Sequence, residues 1–258
     1  MVSKMQISRF SVTSVVLSAF TLVQGATADV INLRADQWCP FNCDPDSERP
    51  GYMVEIAQEA LALYGHEVSY KTMSWSRSLD LVRSGGIDGV IGTDQSESPT
   101  LVFGTSIAQY QEAAAFRVGE TRPIESEVSL EGLRLGGIQD YDYSEFLLEY
   151  IENNSSDPTR IQLLTGDNAL ERNLRKLQAN RIDLLLEERS VLAYSVSRMQ
   201  LEAQLELSFV GDMSELYIAF SPALETSTTY AQQLSEGYQR LQESGRVAEI
   251  LAKYGLTG

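Results

Sequence analysis

The 258-residue chain holds two tryptophans, two cysteines and one histidine, and where they fall narrows its chemistry. Trp38 sits in a loop after a short apolar strand, and Trp75 opens a helix. A tryptophan ring can wall a small-molecule cleft with flat apolar surface, although a core position is the commoner fate of tryptophan. Arg77 follows two residues after Trp75. A guanidinium can grip a carboxylate through two parallel hydrogen bonds, while an arginine at a helix start is more often solvated or ion-paired. Thr93 and Asp94 follow a buried strand, and Glu187-Glu188 end another. Strand ends of this kind aim polar groups into a crevice; a solvated acidic pair is the plainer alternative. Asp140, Tyr141 and Tyr143 gather at the start of a helix, where free N–H groups attract anions. Asp140 and a capping Asp142 would oppose one there.

The remaining reactive residues argue against catalysis and against metal. His66 lies in the turn Tyr64-Gly-His-Glu, a poor place from which to serve a Ser-His-Asp arrangement in a cleft. Cys39 and Cys43, in Cys-Pro-Phe-Asn-Cys, are expected to pair in an oxidising compartment. A zinc site would need a second cysteine pair or nearby histidines. A redox dithiol usually has two intervening residues, where this chain has three. No cofactor, metal or catalytic residue is therefore expected. A carboxylate pair built around Glu188 is the one enzymatic arrangement left open.

Those residues need elements to hold them. Hydrophobic content of 43% and charged content of 22% are ordinary for a globular protein. Lys4 and Arg9 precede an apolar run from Phe10 to Val23, followed by Ala26-Thr27-Ala28. This pattern predicts a cleaved leader over residues 1–28, hence export and a mature chain from about Asp29. The run is short and broken by hydroxyl residues, which argues against a membrane anchor. The formal charge of −16 becomes −18 without Lys4 and Arg9, a balance that disfavours nucleic acid and anionic lipid as partners.

From Val30 the pattern alternates strand and helix: strands at 30–35, 67–71 and 87–92, and helices at 54–64 and 75–83. A linker at 119–129 separates a second unit, with strands at 133–138, 161–164 and 181–186. Its helices are expected from Asp142 through Tyr150, at 168–179 and at 190–199. Strands at 207–211 and 216–220 and helices at 228–242 and 247–254 follow. Such alternation predicts an α/β fold with parallel strands and helical crossovers. Two extended segments, near 112–118 and 214–220, are candidates to cross between the units as a double hinge.

Five stretches also carry a resemblance: Gly51-Tyr-Met-Val-Glu-Ile-Ala, Trp75 through Ser84-Gly-Gly-Ile-Asp-Gly-Val-Ile-Gly, Leu130-Glu-Gly-Leu-Arg-Leu-Gly-Gly, Asn180-Arg-Ile-Asp-Leu-Leu-Leu-Glu-Glu, and Leu241-Gln-Glu-Ser-Gly-Arg through Tyr254. Each is weak alone. In this order, behind a leader, they resemble the family 3 extracytoplasmic solute-binding proteins, which include the polar amino-acid receptors of ABC importers. The resemblance implies a two-lobed type II periplasmic-binding fold with a double-strand hinge. Residues 29–113 and 219–258 would form the first lobe and 114–218 the second. It implies a periplasmic protein, expected to be a monomer, that captures a small polar solute, an amine-bearing one among the options, for an inner-membrane permease. The expected ligand contacts are Trp38, Trp75, Arg77, Thr93, Asp94, Tyr141 and Glu188, the last gripping an ammonium group. One departure matters. The receptors place an arginine for the ligand's α-carboxylate in the polar loop before a Phe-Ser turn. Here that loop, Thr93-Asp-Gln-Ser-Glu-Ser-Pro-Thr-Leu-Val-Phe103, has neither Arg nor Lys. An ordinary amino acid held in the usual way is thereby put in doubt, unless Arg77 substitutes. A ligand-sensing subunit for a receptor kinase and a dehydratase-like enzyme are the alternatives on the same fold.

Overall fold

A computed structural model describes residues 1, 28–139, 141, 143–166 and 168–256. Residues 2–27 of the expected leader, the Asp142 cap and Asp140 lie outside them. The first unit contains strand β1 (Val30–Ala35), helix α1 (Tyr52–Ala62), β2 (Glu67–Thr72), α2 (Trp75–Ser84), β3 (Gly89–Thr93) and the short β4 (Val102–Phe103). Both helices stop where glycine can turn the backbone left-handed. Gly65 (φ 86°) and Gly85 (φ 78°) take that conformation. His66 N–H then bonds Leu61 O and Gly86 N–H bonds Leu81 O, which satisfies carbonyls at the helix ends.

The second unit contains β5 (Ala108–Arg117), β6 (Leu135–Ile138), α3 (Glu145–Asn154), β7 (Ile161–Leu164), α4 (Ala169–Gln178), β8 (Leu184–Glu188) and α5 (Arg189–Arg198). The chain then runs along β9 (Leu205–Phe220) and ends in α6 (Ser227–Glu243) and α7 (Arg246–Lys253). The stretch expected as an unpatterned linker is in part core, because Ile124 is buried in the second unit.

All the strands join one sheet of order β2-β1-β3-β9-β5-β8-β6-β7, with β4 added on β9. β1 pairs in parallel with β2 and β3, and β6 with β7 and β8. The two halves meet through β9, which pairs antiparallel with β3 by residues 217–220 and with β5 by residues 205–216. β9 is thus one strand where the sequence reads as two. The expected gap at 212–215 is strand, and pairing with β5 resumes at Ser214 and Glu215. The ladder is irregular there. Tyr110 faces Ser214 whereas Glu112 faces Val210, and Gly211 takes φ 64°. The two extra residues lie on β9, so the bulge belongs to one of the two strands that connect the units, opposite Gln111 of the other.

The core is divided accordingly. Ile31, Leu33, Met53, Ile56, Ile218 and Phe220 share one cluster with Tyr230, Leu234 and Ile250 of α6 and α7, so the C-terminal helices close the first unit. α6 packs tightly on α1, since a Cβ at Gly237 would lie 2.6 Å from Ala60 O. β5 alternates between two further clusters. Ala114 and Phe116 face Leu135 and Leu147, and Ala113 and Ala115 face Leu174, Leu177 and Leu192. This is the strand period of two, with a helical layer on each face.

Candidate functional site

Between the units, the loop after β1, the end of β3, the end of β8 and the part of β5 opposite the β9 bulge converge. The loop is tied at several points. A Cys39–Cys43 disulfide closes it. Trp38 N–H bonds Asn42 O at 2.7 Å, Asn42 Nδ2 donates to Asp36 O at 2.6 Å, and Tyr70 Oη donates to Cys43 O at 2.9 Å. These ties fix Trp38, whose ring stacks on Phe41 at 4.5 Å and lies 6.2 Å from that of Tyr110. Trp38 Nε1 reaches across to β8 and donates to Glu187 Oε1 at 3.2 Å.

Glu187 is the chemically pointed residue of this region. It is 2% exposed, and Oε1 also accepts the Glu188 N–H at 2.8 Å. Its Oε2 is buried without a hydrogen-bond partner among the described residues. Burial pushes its carboxyl up to about 8, with the charges of Glu188 and Asp36 adding to the effect. Glu188 is equally buried but differently engaged. It caps α5, accepting from Ser190 N–H at 2.6 Å and Val191 N–H at 2.9 Å, and burial raises it to about 7. Neither acid forms an ion pair with lysine or arginine among the described residues. Asp36 is raised to about 6, chiefly by burial, with Glu97 contributing.

The other predicted residues fall into three groups. Trp75 Nε1 donates to Glu97 Oε1 at 2.6 Å and Thr93 Oγ1 donates to Glu97 Oε2 at 3.0 Å, so both steady that acid. Asp94 Oδ1 accepts from Ser96 N–H at 2.6 Å and Glu97 N–H at 2.9 Å, shaping the turn that presents it. Tyr141 is half-buried, its ring 6.3 Å from that of Tyr143, and its hydroxyl is raised by burial and by the charges of Glu187 and Asp36. Arg77 is exposed and makes no hydrogen bond or ion pair among the described residues. The N-terminus of α3, a candidate anion site in the sequence, is met by a carboxylate of the protein itself: Glu112 Oε1 accepts the Ser144 N–H at 2.7 Å.

Sequence reasoning named Glu187 only as the neighbour of Glu188, and passed over Asp36, Glu97, Glu112 and Tyr110. The signal for Glu187 was available in part. Successive strand residues point to opposite faces, so Glu187 and Glu188 cannot share one role. His66 lies away from this region, with Nε2 2.9 Å from Gln233 Oε1 and Nδ1 accepting the Asp29 N–H at 3.3 Å. Among the described residues there is no cluster arranged to hold a metal ion and no helix long and apolar enough to cross a membrane. Chemically, the region offers buried carboxylates and aromatic faces, with one carboxylate oxygen left for a donor.

No curated protein sequence matches the chain. Solved structures do. One concerns glutathione import via GshT and the cystine ABC importer TcyBC of Streptococcus mutans (TM-score 0.71, 15% identity, covering 89% of this chain and 96% of that one). Another is an ABC uptake transporter substrate-binding protein from Streptococcus pneumoniae with bound histidine (0.68, 18%, 87% and 92%). A third is a histidine kinase sensor domain with similarity to periplasmic binding proteins (0.66, 18%, 91% and 99%). At these identities the likeness establishes the type II periplasmic-binding fold. Residues 31–257 match the bacterial extracellular solute-binding proteins, family 3, and the chain belongs to that family.

Proposed function

We propose that the chain is a periplasmic receptor that captures a small organic cation, one bearing an amine, between two lobes and delivers it to an ABC importer. The observation that carries this reading is the free Oε2 of Glu187, buried beside Trp38 at the junction of the units. A buried carboxylate with an unused acceptor is costly to ionise, and a ligand ammonium group repays that cost with a charge-assisted hydrogen bond. Asp36 and Glu188 add negative potential, and Trp38 and Tyr141 supply aromatic faces that attract cations. Residues 29–113 with 219–258, and 114–218, are the lobes in this reading. Their closure uses β5 and β9, at the level of the β9 bulge, as a hinge. Trp75, Thr93 and Asp94 then act by presenting Glu97 to the cleft. Arg77 is the one predicted contact free to meet an anionic group of the ligand. No chemistry on the ligand is required.

Purified mature protein is tested by thermal shift against diamines, agmatine, cationic amino acids, neutral amino acids and dicarboxylates. Cations should raise the melting temperature, because ligand binds only the folded state. A panel in which dicarboxylates alone do so would overturn the reading. A second reading, a sensor subunit, draws on the similarity to the kinase sensor domain. Co-purification with a permease rather than a kinase separates the two.

A further inference from the structure

The far edge of the second unit holds a feature that a ligand cleft does not need. β7 ends the sheet and pairs only with β6. Beside it, α4 carries Arg172, Arg175 and Lys176 at helical spacing, and Arg181 follows the helix. With Leu164 and Ala179 these cations line a concavity of about 490 Å³. Four of the chain's 20 basic residues thus fall within the ten positions 172–181, in a protein with 36 acidic ones.

Among the described residues the charges are barely offset. Arg175 has Glu171 at 3.7 Å, and both are exposed. Among the described residues, Arg172, Lys176 and Arg181 have no ion pair. Arg172 donates instead to Thr165 O at 3.3 Å, which holds its guanidinium near the end of β7. Burial and the charges of Arg172 and Arg181 depress the Lys176 ammonium. Like charges stacked on one helix face are mutually destabilising, and an incoming anion relieves that repulsion.

We propose that this basic, concave sheet edge is a docking site for an acidic extended segment of a partner protein, whose backbone adds alongside β7 while its carboxylates meet Arg172, Arg175, Lys176 and Arg181. An edge strand offers unpaired main-chain groups for such addition. A peptide is favoured over an anionic bilayer on two grounds. The cations line a hollow rather than a plane. The chain's charge of −16 repels an extended anionic surface, whereas a short segment feels chiefly the charges within about 8 Å.

The test is fluorescence anisotropy of a labelled hexaglutamate peptide with the mature chain, and with Arg172→Gln/Arg175→Gln/Lys176→Gln, which keeps helix-compatible side chains. Wild type should bind the peptide, and raising salt from about 20 to about 150 mM should weaken binding on the order of tenfold or more. The triple variant should lose about tenfold at low salt, with its melting temperature unchanged. The same peptide with alternate backbone nitrogens methylated should bind more weakly, as strand addition requires. Equal binding by variant and wild type would overturn the proposal. So would sedimentation with phosphatidylglycerol vesicles without peptide binding, or self-association that the variant abolishes.

Discussion

Replacing Glu187 by glutamine should change how stability depends on pH, with a sign that the burial of this residue dictates. The carboxyl is held at about 8 in the folded chain, against an ordinary value of 4.5. A group whose folded value is raised stabilises fully below the unfolded value and loses that contribution as pH rises through the folded one. Between about 4.5 and 8 the unfolded chain sheds this proton while the folded chain keeps it. Unfolding is thus favoured by about 1.4 kcal/mol per pH unit, a total on the order of 5 kcal/mol. Glutamine has the same shape, and its carbonyl can still accept from Trp38 Nε1, but it has no proton to lose. Urea unfolding of ligand-free wild type and Glu187→Gln at intervals from pH 5 to 9 measures the difference. The variant should gain on wild type steadily up to about pH 8 and then level off. Asp36 and Glu188 are present in both proteins, so the difference chiefly reports Glu187. Parallel curves would refute the reasoning, because they would mean that the carboxylate ionises in the folded chain as it does in water.

Cation binding should show the same linkage, since ligand and proton compete for one oxygen: affinity should climb toward pH 8 by up to about tenfold per unit in isothermal titration. Glu187→Gln should weaken binding at pH 8 by tenfold or more, while Glu188→Gln, whose carboxylate serves its own helix, should cost less than about threefold; the reverse order would move the ammonium site to Glu188. Gly237→Leu should cost on the order of 1–3 kcal/mol in thermal melts, because its Cβ would sit 2.6 Å from Ala60 O. Thiol titration of denatured, unreduced protein should find no free cysteine, and reduction should cost about 2 kcal/mol, the chain-entropy value for so short a loop.

Much of this architecture was legible in the chain because it rests on local periodicity. Ile161–Leu164 is a strand and Gly65 and Gly85 close helices as their types and spacing predict. What was not legible depends on partners distant in sequence. Residues 212–215 fall between two expected strands, and the ladder with β5, which resumes at Ser214 and Glu215, joins them into one. The docking of α6 on α1 depends on a glycine that lets two helices touch, which helix periodicity alone does not show. Asp36 and Glu97 carry no motif, and their importance arises because Trp75 and Thr93 turn Glu97 toward the loop after β1.

The absent arginine and the buried glutamate bear on one electrostatic question. A receptor that holds a zwitterion places a cation and an anion in its cleft, and each lowers the cost of burying the other. Here the polar loop that would supply the cation carries Asp94 and Glu97 instead, and Glu187 has an oxygen without a partner among the described residues. Glu187 meets that imbalance in the empty protein by keeping its proton up to about pH 8, and a ligand with excess positive charge takes the proton's place. A neutral zwitterion would add a carboxylate to a region already crowded with them. The arrangement therefore selects by repulsion as well as attraction, and Arg77, exposed and without an ion pair among the described residues, is the one predicted contact from which a carboxylate could draw compensation.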